Sequence, residues 1–411
     1  MKKVLFAVAL MFGALAASAQ VSVVKEAKSK KGNPEEAAKI IEAALTNPET
    51  ANDPETWKLA GDFQKAIYDA ENEKAYMANV DKSIKVDVNK MYSSLLKMFE
   101  YYYKCDELEQ AKVASGEMKK PKLRKKNAEV LLQLRINLVN GGIEAFNAGN
   151  HADALKYFGN YVDVNTHPMF ADQADVLKAD TAVALYSNYA AMAASAVKDH
   201  DAVIKYGTIG KANDTEGYNS LMFMAEVYGK EKVDSVKWLE VVTEGVDRFP
   251  KTDYFVANLM DHYLNRGMTD EALAKIDQLL TVSETPYYLY VKGILLMDKK
   301  QYEPAMAILD KIIEKNTDLV AEAYSKKGEC YIVPAQDIVE ENSKLNLDDP
   351  KYNANEAKIK DYYEKAKPLF EKAKELKPDN KQLWGQALLA IYWKLNKSEY
   401  ESLAREMGIE L

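Results

Sequence analysis

Seven stretches of this chain share one apolar spacing, and that spacing limits what the chain can fold into. In QYEPAMAILDKIIEKNTD, residues 301–318, Tyr302, Ala305, Leu309 and Ile312 take offsets that return in YYEKAKPLFEKAKELKPDN, residues 362–380, as Tyr363, Ala366, Phe370 and Ala373. Leu376 extends that second stripe before Pro378 ends it. The same frame holds Ala272, Ile276 and Leu279; Trp238, Val242 and Gly245; Ala202, Tyr206 and Ile209; Ala154, Phe158 and Tyr161; and Ala37, Ile41 and Ala44. Steps of three and four residues put each set on one face of a helix. The anchors Ala202, Trp238, Ala272 and Ala305 are separated by 36, 34 and 33 residues. A period of about 34 matches two helices and their turns. One such pair cannot bury its own apolar stripe, so its stability has to come from stacking on its neighbours.

A helix preceding each anchor completes the unit. Gly293 lies twelve residues before Ala305 in PYYLYVKGILLMDKKQY. Gly142 lies twelve before Ala154 in INLVNGGIEAFNAGNH, which also holds a turn glycine, Gly149. DPETWKLAGDFQKAIY places Trp57, Ala60 and Gly61 at the opening of the same unit. On these residues the chain resembles the tetratricopeptide repeat (TPR) family, whose pattern runs W-x2-L-G-x2-Y, then A-x3-F, then P. The resemblance covers most of residues 32–60 and 131–411 and is weak between about 70 and 130. It implies an all-α fold, a right-handed α-solenoid of stacked antiparallel helix pairs forming a TPR-like superhelix. Within a pair, the small residues at the Gly293 and Ala305 positions are expected to face each other. The residues four and seven beyond the anchor are expected to bury against the next pair. Pro304 suits a first helical turn, whereas Pro368 sits deeper and is expected to bend its helix.

Residues 1–19 read as a signal peptide. Lys2 and Lys3 precede an apolar run of about 14 residues, too short to span a bilayer, and Ala17-Ser18-Ala19 supplies a cleavage site before Gln20. Residues 20–130 then form an N-terminal helical region of divergent TPR-like units, and residues 131–411 a TPR-like solenoid. Two surplus lengths interrupt the period: THPMFADQADVLK, residues 166–178, and an insert near 334–358 that begins at Pro334. The insert either carries a binding role or is a solvated excursion. The helix at the end of the chain, beyond Trp384, is expected to cap the array.

The leader makes this an exported chain, in the periplasm or associated with the outer envelope of a Gram-negative-type bacterium, with no transmembrane helix in the mature protein. Net charge is −8 for the whole sequence and −10 once the two leader lysines are removed. Such an acidic chain is a poor match for nucleic acid, and none is expected as a partner. Cys105 and Cys330 fall in units that a stacked array keeps apart, so no intramolecular disulfide is expected.

No motif carries chemistry. His151, His167, His200 and His262 are not at ligand spacing, and neither H-E-x-x-H, paired C-x-x-C nor G-x-S-x-G occurs. The G-x-x-G-K of YGTIGKAND lacks the spacing and the Ser/Thr of a phosphate loop. The chain therefore reads as a non-enzyme, with no catalytic residue, metal site or cofactor. Two segments stay open. KKPKLRKK, residues 119–126, could contact phosphate-rich envelope lipid or an acidic protein, or could simply balance an acidic chain. FEYYYK, residues 99–104, could stack on glycan or pack between helices.

In the TPR family the first helix of each unit lines the concave face and usually meets peptides or protein segments. Carried onto this sequence, the resemblance implies a groove of Tyr254, Asp261 and Asn265, then Tyr287, Tyr290 and Met297, then Glu322 and Glu329. Ala257, Ile294 and Ser325 lie beside them. Some of these tyrosines anchor a partner, or neighbouring repeats cover them. The Lys/Asn carboxylate clamp of some members lacks its Asn here, since Lys58 is followed by Asp62 and Ala257 by Asp261. The expected function is an exported TPR scaffold that binds a protein or peptide through a Tyr-rich concave groove. The alternative is a glycan- or nutrient-binding accessory of the cell envelope, with envelope glycan as its partner.

Overall fold

The computed structural model describes residues 23–395 and 397–409, and the expected signal peptide, residues 1–19, lies outside them. Among the described residues all regular structure is helical. The chain divides into two compact units, one ending at Trp238 and the next starting at Leu239. Residues 130 and 131 lie within a single helix, Arg124–Asn147. The first unit contains α1 (Pro34–Leu45), α2 (Pro54–Ala78), α3 (Val88–Ala114), α4 (Arg124–Asn147), α5 (His151–Asp163), α6 (Val183–Ala196), α7 (His200–Gly210) and α8 (Gly217–Glu226). Helix α9 (Ser235–Arg248) spans the division. The second unit continues with α10 (Asp253–Leu264), α11 (Thr269–Val282), α12 (Pro286–Asp298), α13 (Tyr302–Glu314), α14 (Val320–Asn342), α15 (Pro350–Leu376), α16 (Gly385–Leu395) and α17 (Lys397–Glu406).

Short polar residues start these helices. Asn33, Asp53, Asp87, Asn150, Asp199, Thr285 and Asp349 each accept a backbone N–H from the first turn that follows, the usual service of such side chains to orphan donors. Four pairs also turn in the same way. Gly149, Lys198, Gly267 and Lys300 take positive φ values of 74°, 59°, 68° and 57°. In each, the next residue donates back five positions: Asn150 to Ala145 O, Asp199 to Ala194 O, Met268 to Tyr263 O and Gln301 to Leu296 O, at 2.8–2.9 Å. This is a left-handed helix stop that satisfies carbonyls at the end of the first helix and reverses the chain into the second.

The anchors Ala154, Ala272, Ala305 and Ala366 are fully buried. Their expected contact with the first-helix glycine needs correction. A Cβ on Gly142 would meet the Phe158 ring at 2.6 Å, one on Gly328 the Phe370 ring at 2.5 Å, and one on Gly293 the Leu309 side chain at 3.1 Å. Phe158, Leu309 and Phe370 are the residues four beyond the anchors. The glycine is a socket for the bulky residue of its own pair, because two small residues face to face would leave a void. In α7 the stripe slips by one: Val203 is fully buried while Ala202 is only half-buried. The α15 stripe ends at Ala373, since Leu376 is 42% exposed.

Both surplus lengths are ordered. Residues 166–178 form a 3-10 turn, Pro168–Gln173, and a short helix, Ala174–Lys178, held down by buried Met169, Phe170 and Leu177. Residues 334–358 lengthen α14 and α15, which run through Pro334 and Pro368. The helix continues through Pro334, and its neighbours Ile332 and Ala335 bury in one cluster with Ile359 of α15. Asn342 reaches Tyr352 O and Glu356, and Asn355 reaches Glu341. Tertiary packing outweighs the one hydrogen bond proline removes.

Candidate functional site

Helices α10, α12 and α14 carry the candidate groove residues, with Asn265 capping the end of α10. Tyr254, Tyr287, Tyr290 and Met297 are half-buried, while Asp261 and Asn265 are exposed. Tyr287 lies beside the carboxylates of Asp253 and Asp261, and burial together with those charges raises its pKa. Tyr290 lies beside Glu329 and Glu322, and burial with those carboxylates pushes it up to about 12. Both phenols therefore stay protonated and able to donate a hydrogen bond at neutral pH. Tyr290 and Met297 rest on the cluster formed by Leu289, Leu309, Ile312 and Cys330.

The third step of the expected groove is occupied from within the chain. Glu322 pairs with Lys377 at 2.6 Å, and Ser325, almost wholly buried, donates to Leu383 O at 2.6 Å. Glu329 is held by Lys326 at 2.8 Å. The segment following α15 thus covers this step, whereas Tyr254, Tyr287 and Tyr290 keep part of their surface. At the clamp positions, Lys58 pairs with Asp62 at 2.6 Å and Tyr102 Oη donates to Asp62 at 2.7 Å, so both are committed internally.

The aromatic run divides. Phe99, Tyr101 and Tyr102 are buried between helices. Tyr103 stacks on His167, centroids 4.2 Å apart at 21°. These two, with Trp57, Glu100 and Gln110, line a half-open cavity of about 550 Å³ in the first unit. One wall is buried Asp106, gripped by Arg124 through bonds of 2.6 and 2.8 Å. His167 Nδ1 accepts the Met169 N–H at 3.2 Å, which leaves the ring proton on Nε2, and burial lowers its pKa. The cavity walls come from four separate segments, at residues 57, 100–110, 124 and 167–168, so no one stretch of sequence spells it. Its sequence traces are the aromatic run 99–104 and the surplus length 166–178.

A second cavity of about 1060 Å³ opens beside Glu71, a buried carboxylate. Glu71 binds Lys90 at 2.6 Å, Lys74 at 2.9 Å and the Asp87 N–H at 3.1 Å. Burial alone would raise its pKa, but these donors outweigh it and hold it at about 2. Among the described residues no group of three or more His, Cys, Asp or Glu is placed to hold a metal ion. Cys105 and Cys330 are buried and free, their thiols pushed up to about 12 chiefly by burial. No described helix is long and apolar enough to cross a membrane.

The class this fold defines is an all-α protein of successive helix pairs, with the small residues of the pattern buried where the two helices of a pair meet. Sequence comparison finds no family model and no curated protein that matches. By structure the chain is similar to a TPR repeats protein from Bacteroides fragilis, at 14% identity and TM-score 0.31 over 66% of this chain and 98% of that one. It is similar also to the C-terminal part of a TPR repeat-containing protein from Cytophaga hutchinsonii, at 15% and 0.35 over 64% and 98%. Yeast Tom70 is similar at 12% and 0.29 over 95% and 91%. These likenesses are distant, and the repeat assignment stands on the chain's own packing.

Proposed function

We propose that this chain is an exported, non-catalytic scaffold that binds a protein or peptide segment through the first-helix face of its second unit. The observation that carries the reading is the step formed by Tyr287 and Tyr290. Both are half-buried on α12, and each sits beside carboxylates of a neighbouring first helix. Such tyrosines offer rigid apolar area with a donor at the tip, the composition enriched in interface anchors. Tyr254, Asp261, Asn265 and Met297 extend the contact. Glu322 and Glu329 would act on a partner mainly through their effect on Tyr290.

Export to the periplasm or outer envelope rests on the leader, and N-terminal sequencing of the envelope-fraction protein should begin at Gln20. The binding face is tested by recovering partners on the immobilised mature chain. The double variant Tyr287→Ala/Tyr290→Ala should lose a recovered partner by at least about tenfold. Tyr76→Ala, at an exposed tyrosine of the first unit, should keep it. Equal recovery by all three proteins would contradict the reading.

The glycan alternative has its own support in the first unit. Trp57, Tyr103 and His167 offer ring surfaces beside the planar polar groups of Asp106, Arg124 and Gln110, a mixture suited to the two faces of a sugar. Retention on a glycan array that Trp57→Ala abolishes would favour it, and no retention at all would remove it.

A further inference from the structure

The basic run at 119–126 packs six cationic residues into eight positions. Most lysines are answered by a carboxylate, as Lys97 is by Glu42 at 3.3 Å and Lys104 by Glu107 at 2.8 Å. Lys119, Lys120, Lys122, Lys125 and Lys126 are exposed and form no ion pair among the described residues. Arg124 alone is turned inward, onto Asp106.

The backbone beneath them is fixed. The N–H groups of Lys122, Leu123 and Arg124 donate to the buried carboxylate of Glu109 at 2.8, 3.0 and 3.2 Å. Glu109 thereby takes the positive start of α4 for itself. The two acids that bond to the run, Asp106 and Glu109, are thus committed inside. Glu117 and Glu129 flank it from outside, the former accepting from Ser115 Oγ at 3.1 Å. The result is an anchored platform with five outward lysines on a chain of net charge −8.

We propose that this platform docks the protein on an anionic phospholipid bilayer. The side-chain chemistry selects that partner. Lysine is a hydrated point charge on a flexible stem, and the only guanidinium fork in the run is spent on Asp106. The run holds no aromatic residue and no amide to read a shaped partner. Five such charges suit the diffuse field of many headgroups, each adding about fivefold to binding near an anionic surface. The acidic remainder is repelled by the same surface, which orients the approach.

The test is co-sedimentation of the chain from Gln20 onward, leader removed because its apolar run would insert by itself. One vesicle set is pure phosphatidylcholine and the other contains about one-third phosphatidylglycerol. At low salt the protein should bind the anionic set at least about tenfold better, and high salt should erase the difference. Replacing Lys119, Lys120, Lys122, Lys125 and Lys126 by Gln should abolish the preference. A control replacing the ion-paired Lys65, Lys156, Lys230, Lys237 and Lys344 by Gln should keep most of it. Helical circular dichroism and melting checks that both variants fold. Inorganic phosphate should compete only through its ionic strength. Equal binding to the two vesicle sets, a run variant that binds as well as the parent, or a control that loses as much would each overturn the proposal. So would competition by phosphate beyond its ionic strength. Capture of an acidic protein without vesicle binding would assign the surface to that class instead.

Discussion

Gly293 and Gly328 hold the same place in two helix pairs, yet a methyl group meets different neighbours there. At Gly328 it would fall 2.5 Å from the Phe370 ring, which would have to move, and at Gly293 3.1 Å from the Leu309 side chain, which need give only a few tenths of an ångström. Alanine gains about 1 kcal/mol of helix propensity over glycine, while overpacking a core costs about 1–3 kcal/mol. Gly293→Ala should therefore stay within about 1 kcal/mol of the parent in denaturant titration. Gly328→Ala should lose about 1–2 kcal/mol. Glu71 makes a prediction in pH. Its pKa is about 2 in the folded chain against an ordinary value of 4.5, so the unfolded chain holds its proton more tightly. The stabilisation it brings is complete above pH 4.5 and is lost as pH falls towards 2. Glu71→Gln should cost about 3 kcal/mol at neutral pH and flatten the acid limb of the stability curve.

The shared turn between first and second helix shows what could be read beforehand and what could not. Gly149 announces a left-handed stop, since glycine takes positive φ freely. Lys198 and Lys300 do the same at 59° and 57°, and nothing in their side chains signals it. The turn's own hydrogen bonds hold them there, at a conformational cost of about 1 kcal/mol each. Lys198→Gly and Lys300→Gly should each raise stability by about 1 kcal/mol, and Gly149→Ala should lower it by a similar amount, measured by thermal melting. Apolar spacing located the helix pairs because burial imposes it directly. It did not reveal that Phe158, Leu309 and Phe370 seat in glycines, since that depends on how two helices mesh. Nor did it show that α14 passes through Pro334, because the stabilising contacts come from α15, across a turn. Of the candidate groove, Tyr287 and Tyr290 are brought beside carboxylates as the first-helix register implies, but the cover that Lys377 and Leu383 lay over Glu322 and Ser325 comes from residues more than fifty positions away.

Across the chain, each unit carries its own chemistry: aromatic cavity and lysine platform in the first, tyrosine face in the second. The acidic surplus of −8 leaves the lysine run as a local reversal of sign. Repeat arrays bind through surfaces built from several units, so the partner should touch one face of α10 and α12 and not the second helices. Site-specific photocrosslinking reads that difference most directly. Benzoylphenylalanine in place of Tyr290 should yield a discrete crosslinked protein in the envelope fraction, while the same probe in place of Glu314, exposed at the end of α13, should yield none. Crosslinks of equal yield from both positions, or from position 314 alone, would contradict a partner seated on the first-helix face.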